Sequence, residues 1–376
     1  MITTAIVFIL TLLVLVLVHE FGHFIMAKMF GVKVEEFGFG LPPKLLSKKI
    51  GETKYSFNLL PIGGFVRLLG EDETEKEVLE NPRSFAHKPV TQRMIIVVAG
   101  VVMNFLLAVI LFWIVLAGKG FQEQIPLFFP YKFIGVEQVN ETVVLVGEVS
   151  KKSPAEMVGI KTGDRILKIN ETSIKDADSF INLVQKNSGE AITLTVVDSQ
   201  DAARQITVVP RTNPPKGEGA LGVSLGTVTI ASLTYVTPLQ KMTSGISHSY
   251  NFTLYSFQIF GNLIGSSLQT KSMAPISQTV SGPIGITQLA GSVLETKDPI
   301  LPYLNLIALL SLNLAVINIL PFPALDGGRL LFLLIEFISR KKVNANLEKT
   351  IHTVGMVTLL ILIVLVTFSD IRKLIP

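Results

Sequence analysis

Four long segments without charged residues constrain this chain more than any other feature of its sequence. They run over residues 2–18, 94–117, 300–325 and 353–369. A helix needs about 20 apolar residues to cross the hydrocarbon core of a bilayer, and about 17 is the lower limit. Charged residues make up 16% of the chain and cysteine is absent, whereas a soluble domain carries about 25% charged residues. These features predict an integral membrane protein and exclude a simple soluble enzyme, a disordered chain and a disulfide-stapled scaffold.

The first of these segments lies near the N-terminus, where an apolar run is also typical of a signal peptide. It has neither a basic n-region nor a small-residue cleavage site, and its apolar pattern continues through residues 24–29. We therefore predict a transmembrane helix over residues 1–30.

A fifth charge-free stretch, residues 250–270, has apolar residues at helical spacing with Ser, Asn and Gln between them. It predicts either a helix that lies against the membrane or the other helices, or a buried helix of a soluble region. The sequence leaves both alternatives open.

Basic residues predict the orientation of the helices. Segment 24–93 holds 11 Lys and Arg residues, and segment 328–352 holds five more. Segment 118–299 has 15 basic and 15 acidic residues, and long domains cross the membrane largely regardless of charge. We predict a multi-pass protein of the cell (inner) membrane with 118–299 outside and the other two segments in the cytoplasm. The net charge is only +4, and without a basic block interleaved with aromatics no nucleic-acid partner is expected.

The first segment ends in the sequence His-Glu-Phe-Gly-His at residues 19–23. On a helix, His19 and His23 lie one turn apart on one face, so both imidazoles can bind one metal ion. Glu20 beside them can take a proton from a metal-bound water, and zinc suits such ligands. A chance motif on a plain helix is the alternative, but ionisable groups in a membrane segment are costly and mark functional sites.

Two histidines leave a catalytic zinc site short of one protein ligand. Glu35 and Glu36 follow at a suitable spacing, but Asp326 is the better candidate because it lies at the inner end of the third segment. A carboxylate at the centre of a span costs roughly 3 kcal/mol, less near an end, and binding to zinc would offset that cost. Pro321 and Pro323 break the helix before it, which is tolerated where the chain lines a cavity. We expect one catalytic Zn²⁺ near the cytoplasmic face.

On these motifs the chain resembles the site-2 protease family of intramembrane zinc metalloproteases, and most closely the bacterial regulator-of-sigma-E protease type. The resemblance rests on residues 19–23, on Asn-Ile-Leu-Pro-Phe-Pro-Ala-Leu-Asp-Gly at 318–327 and on a PDZ-like insert. Leu-Pro-Ile-Gly-Gly-Phe-Val-Arg at 60–67 and Ala-Gly at 99–100 with Asn104 also match, although the family often has proline in place of Val101.

The resemblance implies cleavage of a peptide bond within or beside the transmembrane helix of a single-pass membrane protein, such as an anti-sigma factor or a remnant signal peptide. It implies that His19, His23 and Asp326 bind zinc and that Glu20 is the general base. The residues of this part of the chain that we predict to contact substrate are Gly63, Gly64, Phe65 and Asn318.

Residues 31–70 are rich in glycine and β-forming residues, and alternation over 55–59 predicts a strand. A protease needs an extended substrate, because a helical peptide hides its scissile carbonyl in hydrogen bonds. A strand edge beside the zinc could pair with an unwound substrate by β-addition, and the family resemblance implies a membrane-associated β-loop over 31–93. A plain cytoplasmic hairpin is the alternative.

Residues 153–170 resemble the PDZ domains of bacterial proteases, and alternating patterns over 192–197 and 205–209 predict strands. We predict an extracytoplasmic PDZ domain over 130–226. Leu221 and Gly222 are candidates for a loop whose N–H groups bind a peptide C-terminus, and a tight turn between strands is the alternative. The sequence does not distinguish a domain that filters substrates from one that docks them.

The predicted fold class is thus a polytopic α-helical membrane protein with four transmembrane helices, a membrane-associated β-loop and an inserted α+β PDZ domain. An amphipathic helix and linker are expected over 227–299 and a cytoplasmic loop over 328–352. The helices are expected over 1–30, 94–117, 300–327 and 353–371.

His87, His248 and His352 have no ligand partners at metal spacing and are predicted to be surface or interfacial residues. The rival functions are a non-enzymatic scaffold that presents a PDZ domain and a metal transporter.

Overall fold

The computed structural model describes residues 2–71, 76–198, 202–272 and 282–374. The chain forms two compact units. The first combines Met1–Gly120 with Lys241–Pro376, and the second is Phe121–Gln240.

Among the described residues of the first unit, four helices are long and apolar enough to cross a membrane. The α-helices that lie wholly or mostly in this unit are, in chain order, α1 (Ile2–Met29), α2 (Lys76–Leu79), α3 (Val90–Gly118), α6 (Pro238–Thr270), α7 (Pro283–Leu294), α8 (Ile300–Ile319), α9 (Asp326–Ser339) and α10 (Ala345–Leu374). The four apolar ones are α1, α3, α8 and α10, and each includes most of one predicted charge-free segment. Together they suit an integral membrane protein.

Close helix packing in the first unit depends on small residues. A Cβ on Gly22 of α1 would lie 2.4 Å from the carbonyl oxygen of Ala99 in α3, so only glycine allows this approach of the two backbones. Between α3 and α8, Ala108 and Ala308 are fully buried beside Phe112. The three helices α1, α3 and α8 therefore form one packed bundle.

The third apolar helix is shorter than predicted. Helix α8 ends at Ile319 and a separate helix, α9, begins at Asp326, so the prediction of one helix over 300–327 is wrong. The physical reason is Pro321: the residue before a proline is pushed out of the helical region, and Leu320 is indeed extended, with a ψ of 142°. The prediction of a loop over 328–352 is also wrong, because most of α9 lies within it.

A long antiparallel hairpin follows α1. It consists of β1 (Val34–Ile50) and β2 (Thr53–Leu68), joined at Gly51, which has a φ of 61°. The hairpin folds back on itself, so that Phe37 of β1 pairs with both Tyr55 and Val66 of β2. The last part of β2 is therefore a strand with β1 on one side only.

The fifth charge-free stretch, residues 250–270, forms part of helix α6, which lies against the other helices. It packs against α3, where a Cβ on Gly245 would lie 2.2 Å from the carbonyl oxygen of Val109. His248 is only 2% exposed and its ring contacts Phe112 and Phe252. The prediction of His248 as a surface or interfacial residue is therefore wrong, since sequence spacing carried no information about the neighbouring helix.

The second unit is a mixed helix and sheet structure. Its antiparallel sheet has the strand order β3 (Gln122–Leu127), β9 (Val223–Thr234), β4 (Glu137–Val149), β5 (Arg165–Ile169), β7 (Ile192–Val197) and β8 (Ala203–Val208), with β6 (Thr172–Ser173) beside β5. Strand β9 continues through residues 227–234, where a linker was expected. That expectation is wrong because β9 pairs with both β3 and β4 over this stretch.

Two short helices complete the second unit, α4 (Pro154–Met157) and α5 (Ala177–Lys186). Asp176 begins α5 by accepting the N–H of Ser179 at 2.7 Å, a standard N-cap. This hydrogen bond lowers the pKa of the Asp176 carboxyl below its ordinary value.

Candidate metal centre

Two histidines of α1 lie one helical turn apart on the same face, as the sequence predicted. His19 Nε2 and His23 Nε2 are 3.2 Å apart. The carboxylate of Asp326, the first residue of α9, joins them: its Oδ2 lies 2.9 Å from His19 Nε2 and 3.3 Å from His23 Nε2. The structure therefore brings the three predicted ligands to one point.

These three side chains have the donor set and the convergence that a zinc ion requires. Their ligand atoms all lie within 4.8 Å of one another, and no other described residues form such a group of three or more His, Cys, Asp or Glu side chains. His23 Nδ1 lies 2.8 Å from the carbonyl oxygen of Ile96. An N–H donated from Nδ1 leaves Nε2 as the ligand atom, a contact typical of metal-binding histidines. Three protein ligands leave the fourth zinc position to water or substrate, so the residues fit the metal.

The alternative third ligands lie elsewhere. Glu36 Oε1 is 2.6 Å from Lys44 Nζ, and Glu35 Oε1 is 3.6 Å from Lys33 Nζ. Neither glutamate belongs to the group of converging ligand atoms. The geometry therefore favours Asp326 over both.

Helix α3 passes directly over the two imidazoles at Gly100. A Cβ on Gly100 would lie 2.4 Å from His23 Nε2 and 2.8 Å from His19 Nε2, much closer than real Cβ atoms approach other heavy atoms. The missing side chain therefore keeps the space around the ligand atoms open. In the sequence, Gly100 stands out only because it matches the family. The structure gives the physical reason for a glycine there, which is the close approach of α3 to the two imidazoles.

Glu20 lies beside the metal ligands and against β2. A Cβ on Gly64 would be 3.6 Å from Glu20 Cγ, and the backbone N–H of Val66 interacts with the Glu20 carboxylate. A cavity of about 210 Å³ opens next to these groups. Its lining residues are Val16, His19, Glu20, Asn104, Leu314, Asn318, Ala324, Leu325 and Asp326.

The turn between α8 and α9 is held in a conformation that aims Asp326 at the histidines. Ala324 has a φ of 77°, in a left-handed region that costs a non-glycine residue about 1–2 kcal/mol. Its N–H donates to Nδ1 of His352 in α10 over 3.0 Å. His352 is half-buried, and this contact gives it a structural role that the prediction of a surface or interfacial residue did not include. No sequence signal could have found this contact, because the two residues lie on separate elements.

Ion pairs hold α9 against its neighbours. Arg329, one turn after Asp326, pairs with Glu71, which follows β2. Further along α9, Glu336 pairs with Arg93 of α3, and both of these side chains are largely buried. The helix that begins with Asp326 is thus fixed both to the hairpin and to α3.

The predicted substrate-contacting residues of the first unit lie close to this centre. Asn318 lines the cavity together with Glu20. Gly64 of β2 faces Glu20, while Gly63 lies beside Leu41, the nearest side chain to a Cβ built on it. Phe65 covers Gly38 of β1 with its ring. The structure therefore brings Asn318 and Gly64 to the centre.

The predicted carboxylate loop of the second unit is engaged within that unit. Leu221 is buried in its core at 2% exposure, and its carbonyl oxygen accepts the N–H of Ala155. The N–H of Gly222 donates to the carbonyl oxygen of Gly219 over 2.9 Å. The turn interpretation therefore accounts for Gly222, whose N–H is already used.

Comparison with known proteins identifies the family. The family model of peptidase family M50 matches residues 7–362. The chain belongs to this family. A Clostridium perfringens protein that is named as a zinc metalloprotease is 35% identical to this chain over 95% of each chain. The zinc metalloprotease RasP of Geobacillus kaustophilus is 27% identical over 96% of this chain and 95% of its own.

A solved structure, the PDZ domain of an SdrC-like protein from Listeria monocytogenes, matches 26% of this chain and 93% of its own at 21% identity. The TM-score of this match is 0.20.

Membership of family M50 and the zinc metalloprotease relatives make this protein a zinc metalloprotease of the site-2 protease family. The resemblance found in the sequence is thereby confirmed. The apolar helices and the RasP relative agree with an integral membrane protein.

Proposed function

We propose that this protein is an intramembrane endopeptidase that cleaves peptide bonds within or beside the transmembrane segments of single-pass membrane proteins. One observation carries the proposal. The cavity beside His19, Glu20 and Asp326 is also lined by α3 and α8, and α1, α3 and α8 are each long and apolar enough to cross a membrane. A peptidase site built among such helices acts at membrane depth. Anti-sigma factors and remnant signal peptides are substrates of the expected kind.

The chemistry follows from the residues around the cavity. His19, His23 and Asp326 would hold the zinc ion, which would supply a Lewis acid and lower the pKa of a bound water to about 7. Glu20 accepts a proton from the attacking water and transfers it to the leaving amine. The Val66 N–H beside the Glu20 carboxylate orients that carboxylate for both transfers.

Substrate is proposed to bind as an extended strand along β2. The last part of β2 pairs with β1 on one side, as in the pair of Gly64 with Phe39, and its Gly64 faces Glu20. An unwound substrate segment that adds to this edge satisfies its own backbone groups. It also presents its peptide carbonyl next to the general base.

The second unit is proposed to be a PDZ domain on the extracytoplasmic side of the cell membrane. Its antiparallel sheet and its two short helices agree with the motif at 153–170. In this position it meets the external part of a substrate before the membrane segment reaches the zinc. It acts there as a filter against bulky domains or as a dock for peptide C-termini.

The proposal is tested by cleavage of a model single-pass membrane protein with purified protein in detergent. We expect the wild type to cleave and to lose activity with a zinc chelator. Glu20→Gln should retain zinc but lose cleavage by several orders of magnitude, because the general base is gone. His23→Ala should lose zinc itself. Turnover by Glu20→Gln removes Glu20 from its role, and a zinc-free, inactive wild type would revive the scaffold function.

A further inference from the structure

Asn104 is a buried polar residue that the mechanism above does not use. It lies in the middle of α3, its exposure is 0%, and neither Nδ2 nor Oδ1 of its side chain has a hydrogen-bond partner among the described residues. Buried amide groups are nearly always paired, because an unpaired one loses its hydration without compensation. An unpaired amide inside an apolar helix bundle therefore indicates that its hydrogen-bond partner is a bound molecule.

The position of Asn104 is tied to the metal ligands. It follows Gly100 by four residues, so both lie on the same face of α3, and Gly100 is the position at which α3 touches both imidazoles. Asn104 also lines the cavity that Glu20 and Asp326 line. Its amide is therefore one helical turn from the centre and opens into the same space.

The backbone at Asn104 is fixed as well. Ser311 of α8 donates its hydroxyl hydrogen to the Asn104 carbonyl oxygen over 2.8 Å, and this contact is buried. The contact locks α3 and α8 together at the level of the cavity. The backbone from which the carboxamide extends is thus fixed before any substrate enters, and a donor fixed in advance stabilises a developing charge best.

A peptide group is the partner that matches this side chain. Unwinding a membrane segment exposes backbone N–H and C=O groups that have no water to bind. A carboxamide offers two donors and one acceptor and carries no charge, so it complements a peptide group without burying an ion. Asn318, on the wall formed by α8, offers a second carboxamide to the same cavity.

We propose that Asn104 is a catalytic residue whose side-chain N–H donates a hydrogen bond to the scissile carbonyl oxygen of the substrate. This inference rests on the proposed function, because it needs a peptide in the cavity. Asn104 neither gives nor takes a proton. It stabilises the negative charge that the carbonyl oxygen acquires when water attacks the carbonyl carbon.

The test compares Asn104→Leu with the wild type in full-length protein. Leucine has a similar volume and no polar group. We expect kcat to fall by about 10²-fold, the loss typical of one such donor, with full zinc content. The melting temperature should be unchanged or higher, because a buried unpaired amide has been removed. A residue with a purely packing role would not combine lower activity with retained stability.

A matched control is available on α8. Asn313 is exposed and does not line the cavity, so Asn313→Leu should retain wild-type kcat. Asn104→Asp removes the N–H donors at the same size and should lose kcat as Asn104→Leu does. Full activity of Asn104→Leu overturns the inference, and so does a loss of activity that parallels loss of zinc or of stability.

A second readout separates failure of this inference from failure of the proposed function. A phosphinic peptide carries a tetrahedral, negatively charged oxygen where the scissile carbonyl would be. We expect Asn104→Leu to weaken its inhibition constant by about 10²-fold and to leave that of acetohydroxamate unchanged. A wild type that cleaves with the same constants as Asn104→Leu overturns only the role of Asn104. A zinc-loaded wild type that neither cleaves nor binds the phosphinic peptide overturns both.

Discussion

At the scale of single residues, the zinc ligands on α1 follow from spacing, but the space around them does not. Positions i and i+4 of a helix share a face, so His19 and His23 had to lie together if α1 formed. Asp326 was predictable from the cost of a carboxylate in an apolar segment. Gly100 and His352 were not predictable in this way, because each acts on a residue far away in sequence. The sequence thus identifies the ligands, whereas the space around them depends on the packing of helices that are distant in sequence.

Substitution of Gly100 tests the importance of that space. In Gly100→Ala the new Cβ meets His23 Nε2 at 2.4 Å, so α3 or the imidazoles must move away. We expect zinc content to fall well below one ion per chain and cleavage to fall at least tenfold, since small displacements of catalytic groups are costly. Metal analysis and the cleavage assay measure the two effects.

Helix α6 supplies the control for this substitution. Gly265 has no atom within 4 Å of a built Cβ, so Gly265→Ala meets nothing and improves helix propensity by about 1 kcal/mol. It should keep zinc and activity. A Gly100→Ala protein with full zinc and normal turnover would show that the contact with the imidazoles is not limiting.

At the scale of elements, the long apolar helices were predictable and the breaks between them were less so. Pro321 and Pro323 predicted a helix break within the third segment. Only the structure shows that α8 ends at Ile319 and that a new helix begins at Asp326. The hairpin was predicted from alternation over 55–59. Its folding back on β1 was not, since Phe37 pairs with two separate parts of β2 and strand alternation specifies no partner.

The junction of α7 and α10 is a second feature that only the structure reveals. Near the end of α10, the buried Asp370 accepts the N–H of Gly282 and that of Gly285, at 3.2 and 2.9 Å, from the first turn of α7. A carboxylate at a helix N-terminus satisfies unpaired N–H groups and opposes the helix dipole. We expect Asp370→Ala to lower the free energy of unfolding by about 1–2 kcal/mol, measured by thermal or denaturant unfolding in detergent.

The exposed Glu171, in a turn of the second unit, is the control for that junction. Glu171→Ala removes the same charge away from any helix N-terminus and should leave the melting temperature unchanged. If Asp370→Ala unfolds with the wild-type profile, the two hydrogen bonds contribute nothing measurable and the attachment of α7 to α10 must come from apolar packing.

At the scale of the whole molecule, the orientation in the membrane is the property on which the proposed function depends most. The apolar helices α1, α3, α8 and α10 separate segments of different charge, and the basic residues favour the cytoplasmic side for the hairpin and the region after α8. Because the chain has no cysteine, single cysteines report sidedness without background. Lys175 of the second unit and Lys341 after α9 are both exposed. In intact cells a membrane-impermeant maleimide should label Lys175→Cys and leave Lys341→Cys unlabelled until the membrane is permeabilised. The reverse pattern would place the zinc site near the external face, and substrates would then have to be cut from outside.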